Sequence, residues 1–185
     1  MVSSIVQLIR DASSPVIGAL LVLGVILVTA ASAPGAARTS GSERFDGGLV
    51  VSGASGQRQA VGSAIAMSGV FNGVGRIIER ANRPGDSSKI SRDDLVFADG
   101  TLHIVNTSGH ATFSANRRTC MVKFNVEKST TVAGGSGRFA GASGRFTGTV
   151  SGSGVARRKA DGSCDQQHVA LVEIDTVTGT GTLSF

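Results

Sequence analysis

Two side chains near the middle of the chain have the chemistry of a site that orients a ligand or moves a proton. Glu79 lies two residues after Ile77, and side chains two apart on a β-strand share one face. If Ile77 points into a core, the Glu79 carboxyl group does too, and burial would raise its pKa and suit it to proton transfer. His103, two residues before Val105, is the second candidate catalytic residue. The alternative for each is a strand end or an outward position.

The other polar groups favour structural roles. Four aspartates are candidate calcium ligands: Asp86, Asp93, Asp94 and Asp99. Their spacing lacks a recognisable calcium-binding loop, which favours turns and surface positions. Gly135 and Gly137 match part of a dinucleotide-binding loop, but no helix follows to receive a pyrophosphate. We therefore expect no metal and no cofactor.

A long polar stretch interrupts two apolar segments. It runs from Arg80 to Asp94 and contains Pro84 and Gly85. Loops of this length often cover a binding site. A solvated connection without a function is the alternative.

A glycine-rich block determines the predicted fold class. The sequence Ser-Gly-Arg-Phe occurs at residues 136–139 and again at 143–146. Glycines this dense exclude a helix, because each costs about 1 kcal/mol relative to alanine in a helix interior. An offset of seven would put Phe139 and Phe146 on opposite faces of one strand. Both can point inward only with a turn or bulge between them, for which Gly141 and Gly144 supply the freedom.

The rest of the chain beyond the first 59 residues contains short apolar runs that predict strands. The segments are 60–67, 70–79, 95–97, 101–105, 110–115, 120–132, 146–156, 168–178 and 181–185. About eight antiparallel strands and no convincing helix result, and closure into a barrel would remove the exposed edges of an open sheet. We therefore predict an all-β, eight-stranded antiparallel β-barrel over residues 60–185, with a two-sheet sandwich as the alternative.

The N-terminus predicts export. Residues 12–37 carry no charge, residues 16–28 are an apolar run of thirteen, and Arg10 precedes them. Ala31, Ser32 and Ala33 give the small-x-small pattern of a cleavage site. Residues 1–33 are thus a signal peptide with a hydrophobic helix, or an uncleaved anchor, and residues 34–59 a flexible spacer. The protein is expected to be secreted or held at the cell envelope.

Export explains the two cysteines. Cys120 and Cys164 are 44 positions apart, and two thiols in an oxidising compartment are expected to form a disulfide bond. Cys120 shares the apolar face of a strand with Val122 and Phe124. A lone nucleophile or a metal ligand is the alternative, but no Cys-x-x-Cys or histidine-rich grouping favours either.

Composition argues against a nucleic-acid partner. The net charge is +5, yet the basic residues are scattered among acids and only residues 157–159 form a basic run. The chain has no Trp and no Tyr, so it lacks the usual rings for base stacking. The charges are therefore read as solvated surface.

The glycine-rich block also carries a resemblance. Its Gly-Gly-Ser-Gly-Arg-Phe sequence, with the second glycine-rich turn and the closing strand at residues 181–185, resembles the allene oxide cyclase and dirigent β-barrel superfamily. Residues 71–79, residues 93–105 and the cysteine pair resemble secreted members of high-GC Gram-positive bacteria. The likeness covers residues 68–185 and implies an eight-stranded barrel. The acidic residues with which those cyclases and dirigent proteins work match no particular positions here, so no activity carries over.

Three classes of function remain. The first is a secreted barrel that binds a small hydrophobic ligand or a cell-surface component without catalysis. The second is a cyclase or isomerase of the allene oxide cyclase type, and the third is a structural protein of the cell envelope. An enzyme needs a cavity with convergent polar groups and a binder needs an apolar cavity, whereas the structural protein would be packed solid.

Overall fold

The computed structural model describes residues 38–165 and 168–185, which form one closed antiparallel β-barrel. Its strands are β1 (Ser40–Ser52), β2 (Gln59–Gly69), β3 (Gly73–Arg80), β4 (Ile90–Phe97), β5 (Gly100–Asn116), β6 (Met121–Gly137), β7 (Ser143–Val155) and β8 (Val172–Ser184). The predicted all-β class and eight-stranded barrel are confirmed. The predicted signal helix within residues 1–33 lies outside the described residues. Within the described part, no helix has the length and apolar character needed to cross a membrane.

The strands follow one another around the barrel in sequence order. All of β1 pairs with all of β8, which closes the barrel. The ladder between β2 and β3 is short, with residues 65–67 opposite 73–75. Beyond that ladder, the Ser63 hydroxyl bridges the strands by accepting from the Ile77 N–H at 3.1 Å and donating to the Ile77 carbonyl at 2.7 Å.

Aromatic side chains fill one end of the barrel, which we call the closed end. Phe71, Phe97, Phe139 and Phe185 pack mostly edge to face, with ring centroids 4.9–6.4 Å apart. This geometry aligns the positive edge of one ring with the negative face of the next. The Arg138 guanidinium lies 5.3 Å from the centroids of Phe71 and Phe185 and covers this aromatic plug from outside.

The glycine-rich block folds as predicted. A turn at residues 138–142 separates β6 from β7, and Gly141 within it has a φ of 76°. This left-handed conformation is one that glycine adopts readily. The turn lets both phenylalanines face the core, and Phe139 and Phe146 are 0% and 4% exposed.

We call the opposite end of the barrel the mouth. The connections at residues 53–58, 81–89 and 117–120 lie at this end. The pairing of β4 with β5 ends where Ile90 lies opposite Thr107, so the rest of β5 pairs only with β6. The β5–β6 hairpin therefore extends past the β3–β4 hairpin on one side of the mouth.

Cys120 and Cys164 lie at disulfide-bonding distance beyond the mouth. Their sulfur atoms are 2.03 Å apart and their Cα atoms 5.3 Å apart. Cys120 packs with Val122 and Ala156 in a small apolar cluster separate from the main core. The bond ties the β5–β6 turn to the segment that follows β7.

The structure corrects four of the boundaries predicted from the sequence. Residues 34–59 are not a flexible spacer throughout, because residues 40–52 form β1, and the barrel therefore begins before residue 60. The polar loop is shorter than residues 80–94, because β4 begins at Ile90 and contains Asp93. Segments 101–105 and 110–115 are one bulged strand, and β8 continues through residues 181–184.

Candidate functional site

A cavity of about 290 Å³ lies inside the barrel, between the aromatic plug and the mouth. Its wall is mainly apolar and includes Phe45, Leu49, Ile65, Ile77, Leu95, Ile104, Val150 and Val177. Polar side chains line it as well, and most of them belong to the mouth side: Arg58, Glu79, Ser91, Asp93, Asn106, Lys128, Thr130 and Asp175. Period-two alternation produces this interior, because the inward positions of every strand converge on the barrel axis.

Arg58 extends across the mouth from the β1–β2 connection. It donates to Glu79 on β3, and its Nη2 donates to Glu173 Oε1 at 3.2 Å and to Asp175 Oδ2 at 3.0 Å on β8. One guanidinium thus serves three carboxyl groups from two strands. These contacts join β3 to β8 across the mouth, where β2 and β3 no longer pair through their backbones.

Asp175 is the most deeply placed acid of this group, with a side chain that is 3% exposed. Its Oδ1 has no hydrogen-bond partner among the described residues. That oxygen packs beside Gly152 and the Phe124 ring. A Cβ on Gly152 would collide with both Asp175 Oδ1 and the Phe124 ring. Burial raises the pKa of Asp175 to about 7, the negative charge of Glu173 adds to the rise, and Arg58 opposes it. Asp175 therefore exchanges a proton near neutral pH.

A second polar group lies on the opposite wall. The Asn106 amide donates to Asp93 Oδ2 at 2.7 Å, and the Thr130 hydroxyl donates to Asn106 Oδ1 at 2.6 Å. Burial raises the pKa of Asp93 while the nearby Lys128 lowers it, and burial lowers the pKa of Lys128 while Asp93 raises it. Opposite charges thus partly compensate each other's loss of hydration. Lys128 also donates to Ser108 at 2.8 Å.

The two candidate catalytic residues are separated by the structure. Glu79 lines the cavity at the mouth, where it accepts from Arg58. His103 lies outside: its neighbours Leu102 and Ile104 point inward, so strand alternation turns His103 to the outer wall. Its side chain is 47% exposed, and its Nδ1 is 2.8 Å from Asp94 Oδ1. The interior position considered for His103 is therefore wrong.

Several site residues were not singled out from the sequence. Arg58 lies in the segment predicted to be a spacer. Asp175 lies on a strand whose outward positions, such as Ile174, are also apolar, so alternation did not show which face of that strand points inward. The inward position of Lys128 was predictable, because the apolar face that contains Phe124 continues to residue 128 at the same period of two. Following that alternation would have placed a lysine inside the barrel.

The described residues hold no cluster of three or more histidine, cysteine or acidic side chains with the arrangement of a metal site. Comparisons with protein-family models, curated proteins and solved structures give no significant match. The interpretation of the site therefore rests on its geometry and chemistry.

Proposed function

We propose that the barrel is a small-molecule-binding module that takes an apolar ligand into its cavity and carries out no chemistry on it. The observation that carries the proposal is the cavity itself, walled mainly by apolar side chains and lined on the mouth side by polar ones. Small-molecule sites typically combine a concave apolar pocket with a few placed polar groups. With about 30 Å³ per water-sized group, the 290 Å³ volume accommodates about ten non-hydrogen atoms.

The hollow interior supports binding over a purely structural role. Protein interiors normally pack at the density of organic crystals, and empty apolar space reduces stability. Here the aromatic plug closes one end while the wall above it remains unfilled. A ligand that fills this space would recover the missing contacts at about 25 cal/mol per Å² of apolar surface removed from water.

Export to the cell exterior or envelope belongs to the same proposal. The apolar N-terminal segment supports it, and so does the cysteine pair, because disulfides persist mainly in oxidising compartments. The barrel resemblance noted in the sequence is compatible with a secreted member of the allene oxide cyclase and dirigent superfamily.

The second candidate function is a cyclase or isomerase reaction. The observation that favours it is Asp175, a buried acid whose pKa of about 7 suits general acid–base catalysis at the cavity wall. Under this alternative, Glu79→Gln or Asp175→Asn abolishes turnover while ligand affinity stays within about tenfold, or 1.4 kcal/mol. Product analysis after incubation with wild-type protein decides between the two functions, and a converted substrate would favour the enzyme.

A filled-cavity variant tests the binding function. We expect 1-octanol, which has nine non-hydrogen atoms, to bind the wild-type protein in calorimetric titrations. Val177→Phe places a larger side chain into the cavity and should abolish binding, because Val177 lines the wall. Ile174→Phe on the same strand is the matched control, since Ile174 is 59% exposed on the outer wall.

Two results with these variants would contradict binding inside the barrel. Equal octanol binding by wild type and a folded Val177→Phe variant would place the ligand outside the barrel. Loss of binding in Ile174→Phe alone would assign it to the outer surface. Thermal melting of both variants shows whether each one folds.

A further inference from the structure

The mouth of the cavity holds more acid than base. Among the described residues that line the cavity or bind Arg58, four are acids: Glu79, Asp93, Glu173 and Asp175. Two are basic, Arg58 from the β1–β2 connection and Lys128 from β6. Gly152 and Phe124, which cover Asp175 from β7 and β6, bring no charge. A ligand entering the mouth therefore meets an excess of negative charge.

One oxygen in this group lacks a partner. Asp175 lines the cavity with a side chain that is 97% buried, and its Oδ1 accepts no hydrogen bond from any described residue. Arg58 reaches only the other oxygen of Asp175 and is already shared with Glu79 and Glu173. An unpaired carboxylate oxygen in a buried position is costly. A proton on Oδ1, which Gly152 and Phe124 cover, can remove this cost in the empty barrel, and a positive group beside the carboxyl group can stabilise its ionised form in the occupied one.

We infer that the ligand is a cationic amphiphile, with an apolar tail in the barrel cavity and an ammonium head at Glu79, Glu173 and Asp175. An ammonium group has three N–H donors and no acceptor, which matches a set of carboxylate oxygens that one guanidinium serves incompletely. A carboxylate head would be repelled by the same acids. This specificity rests on the proposed function, because the tail needs the cavity.

The binding step has a proton balance that can be measured. Near pH 7, Asp175 is partly protonated in the empty site. An ammonium head favours its ionised form, so binding should release a proton from the protein. The amine is fully charged before and after binding at this pH, and therefore does not supply that proton.

The experiment compares three ligands with the same tail. The full chain is titrated calorimetrically at pH 7 with 1-octylamine, 1-octanol and octanoate, in two buffers of different ionisation enthalpy. We expect the amine to bind about tenfold or more tightly than the alcohol, corresponding to at least about 1.4 kcal/mol, and octanoate to bind more weakly than the alcohol. Amine binding should release protons to the buffer, alcohol binding should show no dependence of the enthalpy on the buffer, and any octanoate binding should take protons up.

Substitutions at the mouth test whether its acids recognise the ammonium head. Asp175→Asn should lower the ratio of amine to alcohol affinity about tenfold and remove the proton release. Glu79→Gln is the second variant if Asp175→Asn fails to fold, and should lower the same ratio. Arg58→Gln should raise amine affinity, because the guanidinium competes with the ammonium for the same acids. Asp46→Asn is the control, since Asp46 pairs with Arg44 on the outer wall.

The outcomes separate the two proposals. Tighter binding of octanoate than octylamine, or loss of amine binding in Arg58→Gln, would overturn the cationic ligand while leaving a binding cavity in place. Equal affinity for all three ligands would likewise overturn it, because the head group would then go unrecognised. If none of the three binds, the binding function itself fails, and the cationic ligand fails with it.

Discussion

At the scale of single residues, the fold brings several acidic side chains close together at the mouth. Asp175 is inward because it shares the face of Val177, which lines the cavity with it. Its neighbour along the same face, Glu173, adds negative charge, and Arg58 compensates only part of it. The raised pKa of Asp175 is thus a consequence of strand alternation on β8 combined with burial.

This raised pKa predicts how stability depends on pH. The pKa of Asp175 rises from 3.8 to about 7 on folding. Between these values the folded chain holds more protons than the unfolded one, so the free energy of unfolding falls as pH rises from about 4 to 7. The contribution is at most about 4 kcal/mol, at 1.36 kcal/mol per pKa unit. Urea unfolding across this range should show a shallower fall for Asp175→Asn than for the wild type.

The wild type must be compared with Asp175→Asn, because a second buried acid also has a raised pKa and also lowers stability as pH rises. Glu43 at the closed end is 3% exposed, accepts from the Phe71 N–H at 2.8 Å, and leaves Oε1 without a partner among the described residues. Burial raises its pKa. Glu43→Gln should therefore remove a separate part of the fall. Identical pH profiles for wild type and Asp175→Asn would show that Asp175 titrates normally.

At the scale of elements, the turn between β6 and β7 is an anchor of the aromatic plug. Phe139 sits in that turn, is 0% exposed, and contacts the rings of Phe71, Phe97 and Phe185. We expect Phe139→Ala to lower the free energy of unfolding by about 3–5 kcal/mol through lost burial and a new cavity. Phe113→Ala is the matched control, because Phe113 is 61% exposed. Chemical denaturation of both variants measures the difference, and a loss below about 1 kcal/mol for Phe139→Ala would mean that the turn does not anchor the plug.

The elements also show what the sequence could predict. The doubled Ser-Gly-Arg-Phe motif located a turn and two buried rings, because its odd spacing permits no other arrangement with both rings inside. The strand β1 escaped prediction, since Glu43 occupies an inward position and two adjacent glycines at 47 and 48 interrupt the apolar pattern. Glu79 was found by its alternation with Ile77, whereas the same rule applied from Val105 placed His103 wrongly, because Leu102 and Ile104 are the buried residues around it.

At the scale of the whole molecule, the site exists because the barrel closes. Arg58, Glu79 and Asp175 come from distant parts of the sequence, and only the pairing of β8 with β1 brings the last strand beside the first. No local pattern contains this information, which explains why the acids of β8 were not singled out from the sequence. Closure of the barrel was predictable, because it removes exposed strand edges, whereas the charged residues that meet at the mouth were not.

The central claim, a ligand inside the barrel, is tested most directly by isoleucine methyl NMR. Ile65, Ile77 and Ile104 line the cavity, whereas Ile174 is exposed on the outer wall. With 1-octanol added to saturation, we predict chemical-shift changes at the three cavity methyl groups and an unchanged Ile174 signal. Changes confined to Ile174, or none at any of the four in a folded protein, would contradict a ligand-binding barrel.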